Sequence, residues 1–391
     1  MPIIAELGDY QPELTAIRRD IHAHPELAFD EARTSELVAA KLGEFGCTVD
    51  RGWAGTGVVG TIRCGSSSAA IGLRADMDAL PIDELNDFAH RSTVDGRMHA
   101  CGHDGHTTML LGAAKYLAAT RNFDGAVHLI FQPAEEGGGG GRLMVEQGLF
   151  DRFPCDAVFA LHNKPGIPVG QIAATSGPLL AASDRWDIRV KGRGTHPAHP
   201  HLGIDPFVVG AEIVLALQTI TSRALDPLDA AVVSVGFTKG GSAYNAVPDE
   251  LHIGGTARSL RPAAQDLIER RIGEIARGVA AAHGATAEVV YNRNYPPTIN
   301  HRAETDFAAA VAAEICGADG VIRDLPPSLG GEDFSFMLNA RPGAMLWLGN
   351  GAGDGTCELH NAHYDFNDAA LPIGASFLAR LAERFLEKAA R

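Results

Sequence analysis

The chain has 391 residues, of which 46% are hydrophobic and 21% are charged, and its formal net charge is −15. This length allows one large domain or two unequal domains, and the composition excludes disorder and fibre formation. The negative charge disfavours nucleic acid and anionic membrane surfaces as partners, which leaves small molecules and proteins.

The first residues lack the basic stretch and the apolar run of a secretory signal. No unbroken run of about 18 apolar residues occurs anywhere in the chain. The six cysteines are widely scattered, unlike the dense framework of a small secreted domain. We therefore expect a cytoplasmic protein with reduced cysteines.

Helical and strand patterns alternate through the first half of the chain, which predicts an α/β domain with a mixed, mostly parallel sheet and helices on both faces. Helical spacing of apolar residues spans residues 14–45, with a break near His24-Pro25 and a stop at Gly46. A further helix is predicted over residues 107–119. Short runs rich in Val, Ile, Leu or Phe predict strands over residues 57–63, 71–75, 126–131 and 157–161.

From about Ser183 the pattern changes to the order β-α-β-β-α-β, the split ferredoxin-like motif. Its predicted elements are strand 186–191, helix 206–218, strands 231–237 and 251–258, helix 264–282 and strand 285–291. We predict that residues 184–295 form an inserted domain and that residues 1–183 and 296–391 form a discontinuous catalytic domain. A helix, a strand over 344–348 and a helix over 371–388 would complete the catalytic domain.

Acidic and imidazole side chains follow three of the predicted strands at the point where each strand ends. Asp76 and Asp78 follow one strand, Glu135 and Glu136 follow the next, and His162 follows the third. In an open α/β sheet the active site lies at the carboxyl ends of the strands. We therefore expect these side chains to gather at one edge of the sheet.

Further ligand types lie in two other segments. Cys101 and His103 occur just before the helix predicted over 107–119, and His360 lies near the end of the chain. Taken singly, the cysteine fits a small buried hydrophobe and each histidine fits a hydrogen-bonded interior residue. Their coincidence at one edge predicts a metal site, since zinc accepts thiolate, imidazole and carboxylate together and a bridging ligand would let two ions lie close together.

The adjacent pair Glu135 and Glu136 carries the most chemical information. Neighbours on an extended segment point in opposite directions, so one carboxylate can bind metal while the other acts as a general base on water. The glycines at 137–141 permit a tight turn after the pair. The alternative is two solvated surface glutamates before a flexible loop.

These segments resemble the M20 peptidase family, in the branch of aminoacylases and hippurate hydrolases that also contains the plant auxin-conjugate hydrolases. The resemblance spans nearly the whole chain, and MHACGHD together with PAEEG is its most specific part. It also rests on RRDIHAHPEL, GLRADMDALP, ALHN, GRGTHPAHPHLGIDP, NAVPDE, GTARSL, LGGEDFSF and ELHNAHYDF.

The resemblance implies a binuclear metal site with a separate catalytic base. The base would be Glu135, and Asp78 would orient a ligand imidazole. Where the wider family has the histidine of a His-x-Asp motif this chain has Asp76, whose part stays open. The two divalent ions, zinc by default with manganese, cobalt and nickel as alternatives, would be held by Cys101 as the bridge, His103, Glu136, His162 and His360.

The resemblance also assigns roles to the inserted domain, which would act as a lid and as the surface of a homodimer or dimer-based oligomer. His196 matches the histidine that reaches a neighbouring active site and stabilises the oxyanion, although a plain loop histidine fits the sequence as well. Asn245 and Arg258 match positions that bind the substrate's carboxylate or carbonyl.

The leading hypothesis is metal-dependent hydrolysis of the amide bond of an N-acyl amino acid, hippurate-like or N-acetylated, to a carboxylic acid and a free amino acid. A dipeptidase or a deacetylase of a biosynthetic intermediate such as N-acetyl-diaminopimelate is a rival on the same scaffold. A metal-binding regulatory protein is the non-enzymatic rival. Glu135 argues against that rival, because a binding site has no use for a poised second carboxylate.

Overall fold

The structure is a computed structural model that describes residues 3–351 and 357–387. The chain divides into two compact units. The larger unit comprises Met1–Gly177, Ile299–Pro326 and Asp333–Arg391, and the smaller unit comprises Pro178–Thr298 and Pro327–Glu332.

The described residues alternate between strands and helices along the chain. The strands are Thr48–Trp53 (β1), Gly57–Cys64 (β2), Ala70–Asp76 (β3), Gly125–Gln132 (β4), Ala157–Lys164 (β5), Ile172–Ala173 (β6), Gly177–Leu180 (β7), Ala182–Lys191 (β8), Ala231–Gly240 (β9), Glu250–Ser259 (β10), Thr286–Tyr295 (β11), Thr298–Asn300 (β12), Val321–Ile322 (β13) and Gly343–Gly349 (β14). The helices are Ala5–Asp9 (α1), Gln11–Ala23 (α2), Ala32–Glu44 (α3), His103–Thr120 (α4), Gly140–Glu146 (α5), Leu149–Arg152 (α6), Pro206–Leu217 (α7), Pro262–Ala282 (α8), Arg302–Cys316 (α9), Phe334–Ala340 (α10) and Leu371–Phe385 (α11).

The larger unit is built on an eight-stranded sheet in the order β1-β2-β4-β3-β5-β14-β6-β13. Strands β4, β3, β5 and β14 run parallel to one another, while β1 and β2 are antiparallel at one side. Strands β3 and β4 are buried along their whole length, as is typical of central parallel strands with nearly continuous apolar sequence. The predicted α/β class with a mostly parallel sheet is confirmed.

The observed ends of two elements differ from the predicted ends at residues that belong to the site. Helix α4 begins at His103 rather than four residues later, because Gly102 adopts a left-handed φ of 88° and lets the helix start directly after it. Strand β5 continues to Lys164, so His162 lies within a strand rather than after one. Helix α11 is described to Phe385, and the predicted helix end at residue 388 lies outside the described residues.

The smaller unit has its own four-stranded antiparallel sheet, in the order β11-β8-β10-β9. Its elements follow the predicted order β-α-β-β-α-β, with helices α7 and α8. Alternate residues of β8, Trp186, Ile188 and Val190, are buried in a core separate from that of the larger unit. Residues 327–332 belong to this unit because Ser328 and Gly330 exchange backbone hydrogen bonds with the segment at 179–181. The roles of lid and dimer surface stay predictions.

One helical stretch among the described residues, Pro206–Ala224, is long and apolar enough by length and composition to cross a membrane. It includes α7, whose Val209, Ile213 and Leu217 pack in the core of the smaller unit. Core helices of water-soluble domains pass the same test, so this stretch is weak evidence for a membrane span.

Candidate metal centre and active site

The three neighbouring strands β4, β3 and β5 deliver most of the site. Asp76 is the last residue of β3, His162 lies near the end of β5, and β4 leads through Pro133 into Glu135 and Glu136. Because these strands are parallel and adjacent, their carboxyl ends meet at one edge. The structure therefore brings together the residues that the sequence analysis expected there.

Potential metal ligands form overlapping groups in which every donor atom lies within 4.8 Å of the others. Cys101 and His103 share one such group, and Cys101 also belongs to a second, so the thiol stands between two sets of donors. The three groups relevant here are Cys101 with His103 and His162, Cys101 with Glu136 and His360, and His103 with Glu135 and Glu136. All five predicted ligands thus belong to overlapping donor groups, and the predicted base Glu135 lies in the group of His103 and Glu136.

His162 is held in the tautomer that suits a metal ligand. Its Nδ1 donates to the backbone carbonyl of Asn163 at 2.7 Å, which leaves the Nε2 lone pair 3.5 Å from the Cys101 sulfur. The indole of Trp347 stands edge-on to the imidazole, with ring centroids 5.2 Å apart. Burial holds the pKa of His162 well below its usual value, so the ring stays neutral.

His103 is buried between two carboxylates. Its Nε2 lies 3.6 Å from an oxygen of Asp76 and its Nδ1 lies 3.3 Å from an oxygen of Asp78, yet neither nitrogen has a hydrogen-bond partner in the described part of the chain. Burial alone would lower its pKa, but the carboxylates of Asp76 and Asp78 raise the pKa to about 10. The surroundings of this imidazole therefore favour positive charge.

Cys101 is buried among anions. Burial first, and then the carboxylates of Glu136 and Glu135, raise the pKa of its thiol well above the usual value. A thiolate at this position needs a cation beside it, and a divalent metal supplies that charge. The mixed donors, the excess of carboxylates and the unpartnered nitrogens of His103 all fit a bound metal.

The segment that carries Glu135 and Glu136 is a turn and not the extended segment that the sequence predicted. Ala134 adopts a left-handed φ of 54°, and the amide of Gly137 donates to the carbonyl of Glu135 at 2.6 Å. Both carboxylates consequently approach His103 rather than pointing in opposite directions. Asp78 holds the turn, accepting from the amides of Glu135 at 3.0 Å and Glu136 at 2.9 Å.

The structure gives Asp76 a defined set of partners. One oxygen bonds Nδ1 of His106 at 2.6 Å, and the other accepts from the guanidinium of Arg74 at 2.7 Å. The remaining nitrogen of His106 accepts from the amide of Asn163 at 3.0 Å. Since both nitrogens of His106 are occupied, the group of Asp76, His103 and His106 is less suited to metal than the groups that contain Cys101.

His360 approaches from the last segment of the chain. Its Nε2 lies 3.1 Å from a carboxylate oxygen of Glu136, and about half of its side chain is exposed. The residue has a positive φ of 65°, which its amide stabilises by donating to the carbonyl of Ala100 at 2.7 Å. This backbone bond ties the segment to the loop that carries Cys101.

The other three predicted site residues belong to the smaller unit. His196 is exposed, and its Nδ1 accepts from the amide of Ala198 at 3.1 Å. Asn245 is exposed, whereas Arg258 is half-buried and bonds the hydroxyl of Ser183. Their predicted roles toward substrate stay predictions.

Several residues around the site were missed by the sequence analysis. Asn163 follows His162 directly, and His106 lies one helical turn after His103, so both could have been found from their positions beside ligands. Glu31 had no such signal, because its hydrogen bond to Ala134 joins residues about a hundred positions apart.

The carboxyl ends of the parallel strands bring together thiol, imidazole and carboxylate donors beside a further buried carboxylate. This arrangement on an open α/β sheet is typical of a divalent-metal hydrolase. Comparison with known sequences agrees with this class and makes it specific. The chain belongs to Peptidase family M20/M25/M40, whose model matches residues 72–384.

Individual relatives match over nearly the whole chain. Hippurate hydrolase of Campylobacter jejuni is 43% identical over 387 residues, covering 99% of this chain and 100% of that protein. IAA-amino acid hydrolase ILR1-like 4 of Arabidopsis thaliana is 38% identical, covering 98% and 88%. The YxeP protein of Bacillus subtilis, a dinuclear metal binding peptidase from the M20 family, has a solved structure with a TM-score of 0.86 and 34% identity, covering 97% and 99%.

These similarities answer the broader questions about function. The chain is an enzyme, it uses divalent metal, and its substrate is a small molecule. The regulatory, non-enzymatic alternative is thereby excluded.

Proposed function

We propose that this enzyme hydrolyses the amide bond of N-acyl amino acids, releasing a carboxylic acid and a free amino acid. The observation that carries the proposal is the pair Glu135 and Glu136, whose carboxylates lie with His103 in one group of donor atoms within 4.8 Å. Such a pair allows one carboxylate to hold metal while the other handles a proton. Two relatives are named for hydrolysis of hippurate and of IAA-amino acids, which supports this substrate class.

The metal would be held as two divalent ions by the five predicted ligands. Cys101 would be the ligand shared by the two ions, because, of the three donor groups, it is the one member common to the group of His162 and the group of His360. Zinc suits mixed thiolate, imidazole and carboxylate ligation, with manganese, cobalt and nickel as the alternatives. When bound, the metal supplies Lewis acidity toward the amide carbonyl and lowers the pKa of water.

Glu135 would accept the proton of the attacking water and pass it to the leaving nitrogen, so that the acyl carbon gains an oxygen and the amine leaves neutral. Asp78 would keep the imidazole of His103 and the turn of Glu135 in position. In the smaller unit, His196 would stabilise the oxyanion, and Asn245 and Arg258 would bind the substrate's carboxylate or carbonyl.

A substrate panel with metal-free and metal-reconstituted protein tests the reaction. It contains hippurate, N-acetyl amino acids, indole-acetyl amino acids, dipeptides and N-acetyl-diaminopimelate, with release of free amine as the signal. Metal-dependent cleavage of a simple N-acyl amino acid is the expected result. Turnover confined to dipeptides or to N-acetyl-diaminopimelate would transfer the assignment to the corresponding rival activity.

The two glutamates give a matched pair of variants. Glu135→Gln should lower kcat by about 100-fold to 10,000-fold and retain metal, because the ligands stay while the base is lost. Glu136→Gln should lower metal content as well as activity. Metal analysis beside steady-state kinetics separates the two effects, and an active Glu135→Gln variant would remove this mechanism.

We also propose that the protein is a homodimer, or an oligomer built from dimers, assembled through the smaller unit. Helix α7 exposes Val208 by 52% and Leu215 by 71%, an apolar surface that association would cover. Leu215→Lys should shift sedimentation equilibrium toward monomer, whereas an unchanged mass would direct the search to another surface.

All six cysteines are free thiols, which suits the cytoplasmic location that we propose.

A further inference from the structure

Glu31 is a fully buried carboxylate outside the set of predicted metal ligands. It stands at the N-cap position of α3, where a short polar side chain such as Asp or Ser ordinarily accepts from the free amides of the first helical turn. Here its side chain makes no such bond. The amides of Arg33 and Thr34 are instead taken by the carboxylate of Glu26, at 2.9 and 2.8 Å.

Glu31 does not cap its own helix and instead forms a hydrogen bond with the turn that carries Glu135 and Glu136. Its Oε1 accepts from the amide of Ala134 at 2.9 Å, and its Oε2 accepts from the hydroxyl of Thr56 at 2.6 Å. Both oxygens are therefore directed by fixed partners. The bond to Ala134 crosses more than a hundred positions of sequence, so it serves the tertiary structure rather than a local turn.

The bond from Glu31 completes a series of three. Asp78 accepts from the amides of Glu135 and Glu136, and Glu31 accepts from the amide just before them. Two buried carboxylates thus hold three successive amides of one turn. Ala134 is the residue that most needs support, because its left-handed φ of 54° is a conformation that L side chains rarely adopt.

We propose that Glu31 is a positioning residue for the reaction: by holding the amide of Ala134 it fixes the left-handed turn that aims Glu135 and Glu136 at the metal centre. This inference rests on the proposed function, since it concerns the placement of the proposed base and a proposed ligand. Glu31 acts through hydrogen-bond reach, so an isosteric amide can replace it and a shorter carboxylate cannot.

Two substitutions at Glu31 separate reach from charge. Glu31→Gln keeps an oxygen that accepts from Ala134, and its amide group can donate to the hydroxyl of Thr56. Glu31→Asp keeps a carboxylate, but its side chain is one methylene shorter and no longer reaches the amide of Ala134. We expect Glu31→Gln to stay within about threefold of wild type, and Glu31→Asp to lose about tenfold or more in kcat and in metal affinity with KM little changed, the effect typical of residues behind a metal ligand.

A third substitution acts on the turn itself. Ala134→Gly, introduced into the Glu31→Asp variant, should recover part of the lost kcat, because glycine adopts a positive φ without strain from a Cβ. Asp124→Ala is the matched control: it removes a carboxylate that also accepts from two amides, those of Ser66 and Ser67, and it lies before the amino end of β4, whereas the turn follows the carboxyl end. It should lower thermal stability and leave kcat and metal affinity unchanged.

The decisive measurements are kcat and KM at saturating zinc or manganese, zinc affinity by competition with a chromogenic chelator, and thermal unfolding for every variant. Losses of kcat and zinc affinity in Glu31→Asp but not in Glu31→Gln or Asp124→Ala would support the positioning role. Losses of kcat and zinc affinity in Glu31→Gln, with normal values in Glu31→Asp, would show that the charge of Glu31 matters and would overturn the positioning role. Wild-type values in both variants would overturn it as well. If wild type cleaves no panel substrate, the proposed function fails, and zinc affinity in the same variants still decides the role of Glu31.

Discussion

Charged residues buried near the site are paired in ways that make their substitution costly. Arg74 contacts Asp76 at 2.7 Å and Asp333 at 3.1 Å, and Asp333 also accepts from the amide of Gly141 at 2.7 Å. Removing one partner of a buried ion pair leaves the other charge without compensation, at a cost of about 3–5 kcal/mol. Asp76 is therefore a member of a structural network that extends to the glycine-rich turn.

A second buried network joins helix α2 to the start of α4 through His22. His22 bonds Asp104 at 2.8 Å and contacts Glu84 at 3.3 Å, with Arg18 nearby. Burial lowers the pKa of His22, but the bonds to Asp104 and Glu84 prevail and raise the pKa to about 9. The folded state thus binds a proton on His22 more tightly than the unfolded state does.

This difference predicts how stability depends on pH. A raised pKa stabilises the fold fully below the unfolded value of about 6.5, and the contribution, of order 3 kcal/mol, is lost as pH rises through about 9. Thermal unfolding of metal-loaded protein at pH 6 to 9.5, compared with His22→Gln, measures it. The variant should be less stable at pH 6 and should converge toward wild type at high pH. A constant difference across this range would contradict the assignment.

At the scale of elements, Asn163 connects three ligand-bearing segments of the larger unit. On β5 it follows His162, its side-chain amide donates to the carbonyl of Cys101 at 2.8 Å, and its oxygen accepts from the hydroxyl of Tyr364 at 2.9 Å. Gly102 makes this contact possible, since a Cβ there would lie 2.1 Å from the Asn163 nitrogen. The position of each ligand segment therefore depends on the other two.

We expect Asn163→Ala to weaken zinc binding by about tenfold or more, because hydrogen bonds behind metal ligands orient those ligands. Tyr364→Phe removes only one of the two side-chain bonds and should have a smaller effect in the same direction. Chelator competition gives the order wild type, Tyr364→Phe, Asn163→Ala. Equal affinities in all three proteins would mean that the segments hold their positions without Asn163.

The same elements mark the limit of what the sequence could predict. Apolar periodicity located β3, β4 and β5, and topology then gathered Asp76, Glu135 and His162 at one edge. The prediction of an extended segment around Glu135 was wrong, because this segment is a turn. The left-handed φ of Ala134 depends on the distant Glu31, and an alanine gives no local sequence signal for such a φ. Long-range hydrogen bonds of this kind leave no periodic trace in the sequence.

At the scale of the whole molecule, each of the two units has its own pattern of elements and its own core, and the change of pattern near Ser183 is the sequence feature from which a division was predicted. Residues 327–332 are the exception, since their membership of the smaller unit depends on backbone bonds to the segment at 179–181. All proposed metal ligands lie in the larger unit, between Cys101 and His360. Metal binding should therefore stabilise one unit selectively.

Removal of metal should lower the unfolding temperature of the larger unit and leave that of the smaller unit nearly unchanged. Free metal at about 100 times the dissociation constant adds about 2.7 kcal/mol to the stability of the unit that binds it, which corresponds to roughly 5 °C for a unit of this size. Scanning calorimetry with and without EDTA measures the shift, and hydrogen exchange in α4 and α8 assigns each transition to its unit. Glu136→Gln is the control and should respond less to EDTA, because it lacks a ligand. An equal shift in α4 and α8 would mean that the two units unfold as one cooperative structure.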